Sequence, residues 1–318
     1  MAGLLNVGPL LQRVGAVDVP SARSLHSAPI MRGGGLAPGA SIALALGVGA
    51  LGAPDGRSQA LTLTVAGAVG AFGLVGWLED FRGLGVVIRL FLQIGLSVGV
   101  TVSLYLAAAP HPWLVLPFVF FIVGYVNSTN FMDGVNGISG LHGGLCGLSF
   151  AYFGWLHTVP WLTLCGLSVA TAFIAFLPWN IVSPKFFLGD VGSYALGAGV
   201  ASMACGAYVS GVPPHLVAAP LLVYLWDTGT TIIRRVLAGE SPHVAHNSHV
   251  YQRLVSQGMS HIGSALTVSG VTAACIALAV VAEELLGWAL AGTLVLLLLG
   301  GYTALPRVVA MRPASRTG

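Results

Sequence analysis

The chain has 318 residues; 56% of them are hydrophobic, only 7% are charged, and the mean hydropathy is +0.87. Soluble domains carry about 25% charged residues, so this composition excludes a soluble protein and predicts an integral membrane protein. The net charge of +3 says little by itself, and we expect a lipid bilayer and no nucleic acid as partner.

Ten apolar segments follow one another along the chain, and their length favours membrane helices over the short alternating strands of a barrel. They span residues 36–52, 60–78, 86–107, 112–126, 137–157, 160–177, 191–209, 213–233, 260–282 and 285–303. Residues 1–14 are apolar but shorter than the roughly 20 residues that a span needs. The sequence therefore predicts an all-α, polytopic membrane helical bundle of about ten transmembrane helices, forming a single domain over residues 1–318.

The distribution of basic residues predicts the orientation. If the 18–35 loop is cytoplasmic and each segment crosses once, Arg57 is the only one of the 13 Lys and Arg residues on the outer face. Five polar segments then share the cytoplasmic face, namely 18–35, 79–85, 127–136, 178–193 and 234–257. We expect this face to carry the chemistry.

The first polar segment, 18–35, combines basic residues with three glycines. Arg23, His26 and Arg32 are donors suited to phosphate, and Gly33–Gly35 allow backbone N–H groups to approach a ligand. An ordinary positively charged cytoplasmic loop explains the same residues equally well.

Two adjacent carboxylates, Glu79 and Asp80, follow the apolar segment 60–78. Two neighbouring acids can hold Mg²⁺, or one can act as a base whose pKa the other shifts. The alternative is a solvated helix end in which the acids pair with Arg82.

A polar stretch over residues 127–140 lies between two apolar segments. Asn127, Asn130, Asp133 and Asn136 recur at every third position, which puts them near one face of a helix. Polar side chains are costly in a bilayer, so this density favours a site over simple capping of a helix end.

The segment 178–193 ends in Gly-Asp-x-Gly-Ser, with Asp190 directly before an apolar segment. An acid is favourable at a helix N-terminus by itself. Beside Lys185 and Phe187, however, the same motif suits a pocket for a metal and a nucleotide, in which an aromatic ring stacks on the base.

Two features remain in the second half of the chain. Asp227 lies inside an apolar segment, which indicates either a functional acid or a buried ion pair or Asp–Thr hydrogen bond that holds the bundle. His243, His246 and His249 recur at every third position before Arg253. Zinc is one interpretation, but no cysteine lies nearby, so phosphate donors are favoured.

The four cysteines and the lone histidines are interpreted as structural. The cysteines lie in apolar segments without the spacing of a disulfide framework or a zinc motif. The lone histidines are His142, His157 and His215.

In this order the motifs resemble those of the polyprenyl-phosphate N-acetylhexosamine-1-phosphate transferase superfamily, which includes phospho-N-acetylmuramoyl-pentapeptide transferase. The matching patterns are P-x-x-R-S-x-H-x-x-P-x-x-R-G-G-G, the acidic pair, N-x-x-N-x-x-D-G-x-(D/N)-G, N-x-x-x-P-x-x-F-x-G-D-x-G-S and a His-rich loop ending in Y-Q-R-L. The R-S-x-H and Y-Q-R-L forms are closer to the enzymes that initiate O-antigen synthesis.

The resemblance implies a Mg²⁺-dependent transfer of a sugar 1-phosphate from a UDP-N-acetylhexosamine to undecaprenyl phosphate, with release of UMP. It places the site on the cytoplasmic face of the bacterial inner membrane. The implied catalytic residues are Glu79, Asp80 and Asp133, and the implied metal ligands are Asp190 and Asn130. The residues implied in binding the nucleotide, phosphates and sugar are Asn136, Phe187, Arg32, His243, His246, His249 and Arg253.

Some residues depart from the family pattern. Glu79 stands where an Asp is usual, which favours Asp80 as the base, and Asn136 stands where many members have Asp. The family normally has a span before the first polar loop, and residues 1–14 are too short to supply it. An ion-coupled membrane transporter and a catalytically degenerate family member stay open as alternative functions. The sugar is open too, and a homodimer is suggested by the resemblance alone.

Overall fold

The computed structural model describes residues 33–109, 111–182, 186–240, 248–282, 285 and 287–311, together with the backbone of residues 17–18 and 30–31. Two short strands, β1 (Val17–Asp18) and β2 (Ile30–Met31), pair antiparallel near the start of the chain. The elements that follow in the described residues are helices.

Twelve α-helices are present in the described part of the chain. They are α1 (Leu36–Gly49), α2 (Gly56–Arg82), α3 (Val86–Ala108), α4 (Val115–Met132), α5 (Ile138–Leu156), α6 (Pro160–Ile181), α7 (Gly189–Val209), α8 (Pro214–Ala218), α9 (Leu222–Leu237), α10 (Val250–Ser256), α11 (His261–Val281) and α12 (Trp288–Ala310). Short 3-10 turns extend α1, precede α4 and join α8 to α9.

Seven helical segments are long and apolar enough to cross a membrane. They are Gly56–Arg82, Val86–Ala108, Pro112–Met132, Pro160–Ile181, Pro214–Leu237, His261–Val281 and Trp288–Ala310. The predicted all-α, polytopic fold class is therefore confirmed. Each of the ten predicted segments overlaps a helix, but the count of about ten membrane spans stays a prediction.

Helix α7 forms the centre of the bundle, and every residue from Val191 to Ala207 is buried. It packs against α2 and α4 at glycine contacts. A Cβ at Gly76 of α2 would overlap the carbonyl of Asp190, and one at Gly197 would lie 2.8 Å from the Cα atom of Val126. Small residues allow membrane helices to approach closely, and here they bring the polar ends of α2 and α4 to the start of α7.

Helices α2 and α7 run antiparallel. At one end of the bundle, the Arg57 guanidinium donates a hydrogen bond to the carbonyl of Val209 at 3.0 Å. At the other end, the Asp80 carboxylate contacts the first turn of α7. Since α2 is about 40 Å long at 1.5 Å per residue, the two contacts lie at opposite ends of the bundle. The end that carries Asp80 is called the polar end below.

Candidate active site

The carboxylate of Asp80 caps helix α7. Its Oδ1 atom accepts the N–H of Asp190 at 3.1 Å, and its Oδ2 atom accepts the N–H of Val191 at 3.0 Å. Gly189 makes this contact possible because its φ angle is +74° and a Cβ there would lie 2.6 Å from Asp80 Oδ2. Unpaired N–H groups at a helix start attract negative charge, so the cap joins two predicted site residues from distant parts of the sequence.

The neighbouring acid, Glu79, faces α3. Its Oε1 atom forms an ion pair with the guanidinium of Arg89 at 3.0 Å. The alternative interpretation paired the acids with Arg82, and it is wrong for this ion pair, because α3 brings Arg89 across the short 83–85 turn. The second oxygen, Oε2, is buried and makes no hydrogen bond to the described residues.

Asn130 orients the side chain of Asp190. Its Nδ2 atom donates to Asp190 Oδ1 at 2.8 Å and to Ser193 Oγ at 3.1 Å. Asn127, three residues earlier, instead donates to Gln93 Oε1 of α3 at 2.6 Å. The polar face predicted for the 127–136 stretch is therefore divided between the site and a contact with α3.

Asp133 follows α4 directly and is half-buried beside the same acids. Its Oδ1 atom accepts the hydroxyl of Ser139 at 2.6 Å. The pKa of Asp133 is raised to about 7, chiefly by burial; the Ser139 hydrogen bond opposes this shift, and the charges of Asp190 and Asp80 contribute to it. The carboxylate of Asp133 is thus close enough to Asp190 and Asp80 at the polar end for their charges to repel it.

Backbone contacts fix the first glycines against the segment that carries Phe187. Gly34 N–H donates to the Phe187 carbonyl at 2.9 Å, and Gly35 N–H donates to the Leu188 carbonyl at 2.8 Å. A Cβ at Gly35 would overlap the backbone of Gly192. The glycines therefore bring the end of the first polar loop onto α7, with the half-buried Phe187 beside it.

Asn180 links the 127–140 stretch to the 178–193 segment. Its Oδ1 atom accepts the N–H of Gly137, and its Nδ2 atom donates to the Phe186 carbonyl at 3.2 Å. Asn136 lies in the turn just before Gly137 and is half-buried. Its predicted contact with a nucleotide stays a prediction.

The start of α10 packs against the same stretch. The hydroxyl of Tyr251 donates to the Phe131 carbonyl at 2.9 Å, and the His249 and Phe131 rings lie 6.2 Å apart. Arg253 is half-buried, and burial together with the charges of Arg234 and Arg307 lowers its pKa. His249 is thus held beside the polar stretch, and its predicted role in binding phosphate or sugar stays a prediction.

The structure brings most of the predicted site to one end of the bundle. The residues gathered there are Glu79, Asp80, Asn130, Asp133, Asn136, Phe187, Asp190 and His249. Arg253 follows on α10, near the charges of Arg234, Arg307 and Asp227. Arg32, His243 and His246 lie outside the described residues. The five polar segments therefore meet through their described parts, near the start of α7.

Comparison with known proteins identifies a family and several relatives. The model of the family described as glycosyl transferase family 4 matches residues 61–207, which include α2 nearly from its start and α7 nearly to its end. The decaprenyl-phosphate N-acetylglucosaminephosphotransferase of Mycolicibacterium smegmatis is 31% identical over 294 residues, covering 80% of this chain and 72% of the relative. The chain belongs to glycosyl transferase family 4.

Two further relatives extend the match. A probable undecaprenyl-phosphate N-acetylglucosaminyl 1-phosphate transferase of Bacillus subtilis is 29% identical, covering 83% of this chain and 78% of the relative. The phospho-N-acetylmuramoyl-pentapeptide-transferase of Synechococcus sp. is 28% identical, covering 71% of each chain. The predicted membership in the polyprenyl-phosphate N-acetylhexosamine-1-phosphate transferase superfamily is confirmed, and the chain is a multi-pass membrane protein of this family.

The donor set of this family-4 chain fits a divalent cation that shares its ligands with a substrate. Asp80, Asp133 and Asp190 supply hard oxygen atoms at the polar end, and a buried oxygen of Glu79 is unpaired among the described residues. No three His, Cys, Asp or Glu side chains in the described ranges form a metal site by themselves. Mg²⁺ commonly takes one or two carboxylates and completes its shell with phosphate oxygens and water, which agrees with this geometry.

Sequence reasoning missed several contacts in the site. Arg89 was used only to predict orientation, and Asn180 was only part of a motif. Asp227 was recognised as an intramembrane acid, but its partners were not found. It accepts a hydrogen bond from Thr231 at 3.3 Å, as one interpretation expected, and it also contacts His249. The sequence signal for this contact was an acid inside an apolar helix, followed by a His-rich segment that could supply a partner.

Proposed function

We propose that this protein transfers a sugar 1-phosphate from a UDP-N-acetylhexosamine to undecaprenyl phosphate, with release of UMP. The product is a lipid-diphosphate sugar for cell-wall or surface polysaccharide synthesis. The observation that carries the proposal is the joint placement of Asp80, Asp190, Asn130 and Asp133 at one end of a family-4 membrane bundle.

The positions of the charged residues support a site at the cytoplasmic face of the bacterial inner membrane. Most Lys and Arg residues fall on the polar side of the predicted topology. Undecaprenyl phosphate lies in the bilayer with its phosphate at the surface, and a UDP-sugar is soluble in water. The two substrates can therefore meet only where polar residues end the membrane helices.

Asp190 and Asn130 are the residues that would hold Mg²⁺. The ion, when bound, neutralises the negative charge of the diphosphate and of departing UMP. The Asn130 amide also keeps the Asp190 carboxylate in place, because its Nδ2 atom bridges Asp190 and Ser193. In this arrangement Asn130 positions the metal ligand whether or not its own oxygen binds the metal.

The transfer is an in-line displacement at phosphorus. An oxygen of the lipid phosphate attacks the sugar-bearing phosphorus, the bond from that phosphorus to the bridging oxygen breaks, and UMP leaves with that oxygen. A phosphate monoester is mostly ionised at pH 7, so little proton removal is needed. Asp80 and Asp133 chiefly orient the attacking group, and either takes a residual proton.

His249 and Arg253 supply donors on the other side of the site. Arg253 stays protonated near neutral pH, and a guanidinium binds phosphate oxygens through paired hydrogen bonds. His249 lies against Phe131, next to the stretch that carries Asn130 and Asp133. These observations support a role for the two residues in binding phosphate or sugar groups of the nucleotide substrate.

The test is UMP release by the purified protein with undecaprenyl phosphate, Mg²⁺ and a panel of UDP-sugars. We expect UMP with at least one UDP-N-acetylhexosamine, and its loss when the metal is chelated. Asp190→Asn should abolish release, whereas Asp55→Asn at the opposite end of α2 should retain it. Release of no UMP with any sugar in the panel would overturn the proposed reaction, and activity that survives Asp190→Asn would overturn the metal assignment.

A further inference from the structure

Asp227 is completely buried in α9, with 0% of its surface exposed, yet donors surround its carboxylate. The Val250 N–H lies 3.1 Å from each oxygen, His249 Nδ1 lies 3.2 Å from Oδ1, and the Tyr302 hydroxyl donates to Oδ2 at 2.7 Å. The Thr231 hydroxyl is a further donor at 3.3 Å. A buried carboxylate is costly unless it is hydrogen-bonded, and these donors satisfy it.

The donors come from three different helices and so tie them together. Val250 begins α10, Thr231 lies one turn further along α9, and Tyr302 lies in α12. On its other side, α10 is held by the hydrogen bond from Tyr251 to the Phe131 carbonyl. The start of α10 is therefore fixed between Asp227 and the stretch that carries the site residues.

The contact between Asp227 and His249 sets the orientation of the imidazole ring. An ionised carboxylate only accepts hydrogen bonds, so a hydrogen bond at this contact needs a proton on the Nδ1 atom of His249. The opposite nitrogen, Nε2, is then left to accept a hydrogen bond, or to donate one once the ring is charged. His249 is nearly buried and lies between the rings of Phe131 and Tyr251, which keeps the ring in this position.

We propose that Asp227 is a positioning residue that acts through His249: it fixes the tautomer and direction of the imidazole that meets the phosphates or sugar of the nucleotide substrate. This inference rests on the proposed function. Asp227 itself does not touch substrate, because it is buried beneath α10.

The first test is a double-mutant cycle in the UMP-release assay. Partners that orient metal-ligating histidines are typically worth about 10- to 100-fold, and by analogy we expect a loss of this order in kcat/KM for Asp227→Asn. In a His249→Ala background the same substitution should change kcat/KM by less than about twofold, since the residue through which it acts is gone. Tyr302→Phe removes another donor from Asp227 and leaves His249 in place, so it should lower stability with little change in kcat/KM. Equal losses from Asp227→Asn with and without His249 would overturn the proposal.

The second test does not depend on activity. In protein labelled with ¹⁵N-histidine, the His249 signals are assigned by their loss in His249→Ala. We expect the Nδ1–H tautomer in the wild type and a shift toward the Nε2–H tautomer in Asp227→Asn. An Nε2–H tautomer in the wild type would overturn the proposed contact. A wild type that has the expected tautomer but releases no UMP would remove the proposed reaction while the contact stands.

Discussion

The carboxylate of Asp80 accepts the backbone N–H of Asp190, a residue 110 positions later in the chain. Because its second oxygen accepts the N–H of Val191, both oxygens of Asp80 are used to hold the first turn of α7. The acid predicted to act as a base therefore also builds the site around the predicted metal ligand. This double role makes Asp80 sensitive to substitutions that keep its shape but remove its charge.

Asp80→Asn should reduce both stability and UMP release. The amide turns one acceptor into a donor that faces a backbone N–H, and the loss of a helix cap typically costs about 1–2 kcal/mol. Asp55→Asn is the matched control. Asp55 caps the N-terminus of α2, at the end of that helix opposite to Asp80, by accepting the Ser58 N–H at 2.8 Å. An asparagine at position 55 still accepts this N–H, so thermal unfolding in detergent should show a smaller stability loss for Asp55→Asn than for Asp80→Asn, and UMP release should be lost only in Asp80→Asn. Full activity of Asp80→Asn would contradict a role at the site.

Gly76→Ala should separate α2 from α7. A Cβ at Gly76 would overlap the carbonyl of Asp190, which is backbone and cannot move aside cheaply. Gly67 lies on the same helix, and a Cβ added there would meet nothing within 4 Å, so Gly67→Ala is the control. Alanine is better than glycine in a helix by about 1 kcal/mol, so the control should be neutral or slightly stabilised. Thermal unfolding and UMP release should both fall for Gly76→Ala, and equal behaviour of the two variants would contradict the close helix contact.

The helices, and the presence of Asp80 and Asp190 in polar segments that share one face, were accessible from sequence because both rest on strong local signals. Apolar length identified the helices, and isolated acids at helix ends are rare enough in this chain to mark a site. The failures have a geometric cause. Each helical residue turns by about 100°, so Asn127 and Asn130 differ by about 60° around α4. That difference is enough to direct Asn127 to Gln93 and Asn130 to Asp190.

Contacts between distant segments were inaccessible for a different reason. The ion-pair partner of Glu79 depends on how α3 packs after the 83–85 turn. Arg82 and Arg89 carry the same charge and both lie near Glu79 in the sequence, so charge alone does not distinguish them. The contact of Asp227 with His249 depends on α10 folding back onto α9. Neither spacing nor composition determines such packing, whereas the need of a buried carboxylate for donors does show that a partner exists.

Asn130→Asp should be worse than Asn130→Ala. In the wild type, the Nδ2 atom of Asn130 lies 2.8 Å from Asp190 Oδ1. If Asn130 acts through this nitrogen, the aspartate variant puts a negative charge in its place, and the two carboxylates repel each other. If Asn130 instead binds Mg²⁺ mainly through its oxygen, the aspartate would retain a metal ligand and should be the better variant. UMP release as a function of Mg²⁺ concentration separates the two, and Ser193→Ala, which removes the other acceptor of Nδ2, should have the smallest effect.

Asp133 should make the metal-free protein lose stability as pH rises from about 4 to about 7. Burial raises the pKa of Asp133 to about 7, whereas an unfolded Asp titrates near 4. The folded state therefore holds a proton that the unfolded state releases, and this stabilisation is present at low pH and lost as pH rises through 7. Asp133→Asn keeps an acceptor for Ser139 but cannot titrate. Its unfolding temperature should therefore rise relative to that of the wild type across this range, and the difference in free energy of unfolding should change by at most about 1.4 kcal/mol per pH unit.

Asp55→Asn should show the opposite trend at lower pH, because the Ser58 backbone hydrogen bond lowers the pKa of Asp55. A constant difference between Asp133→Asn and the wild type from pH 4 to 8, measured by thermal unfolding with a chelator present, would contradict the raised pKa.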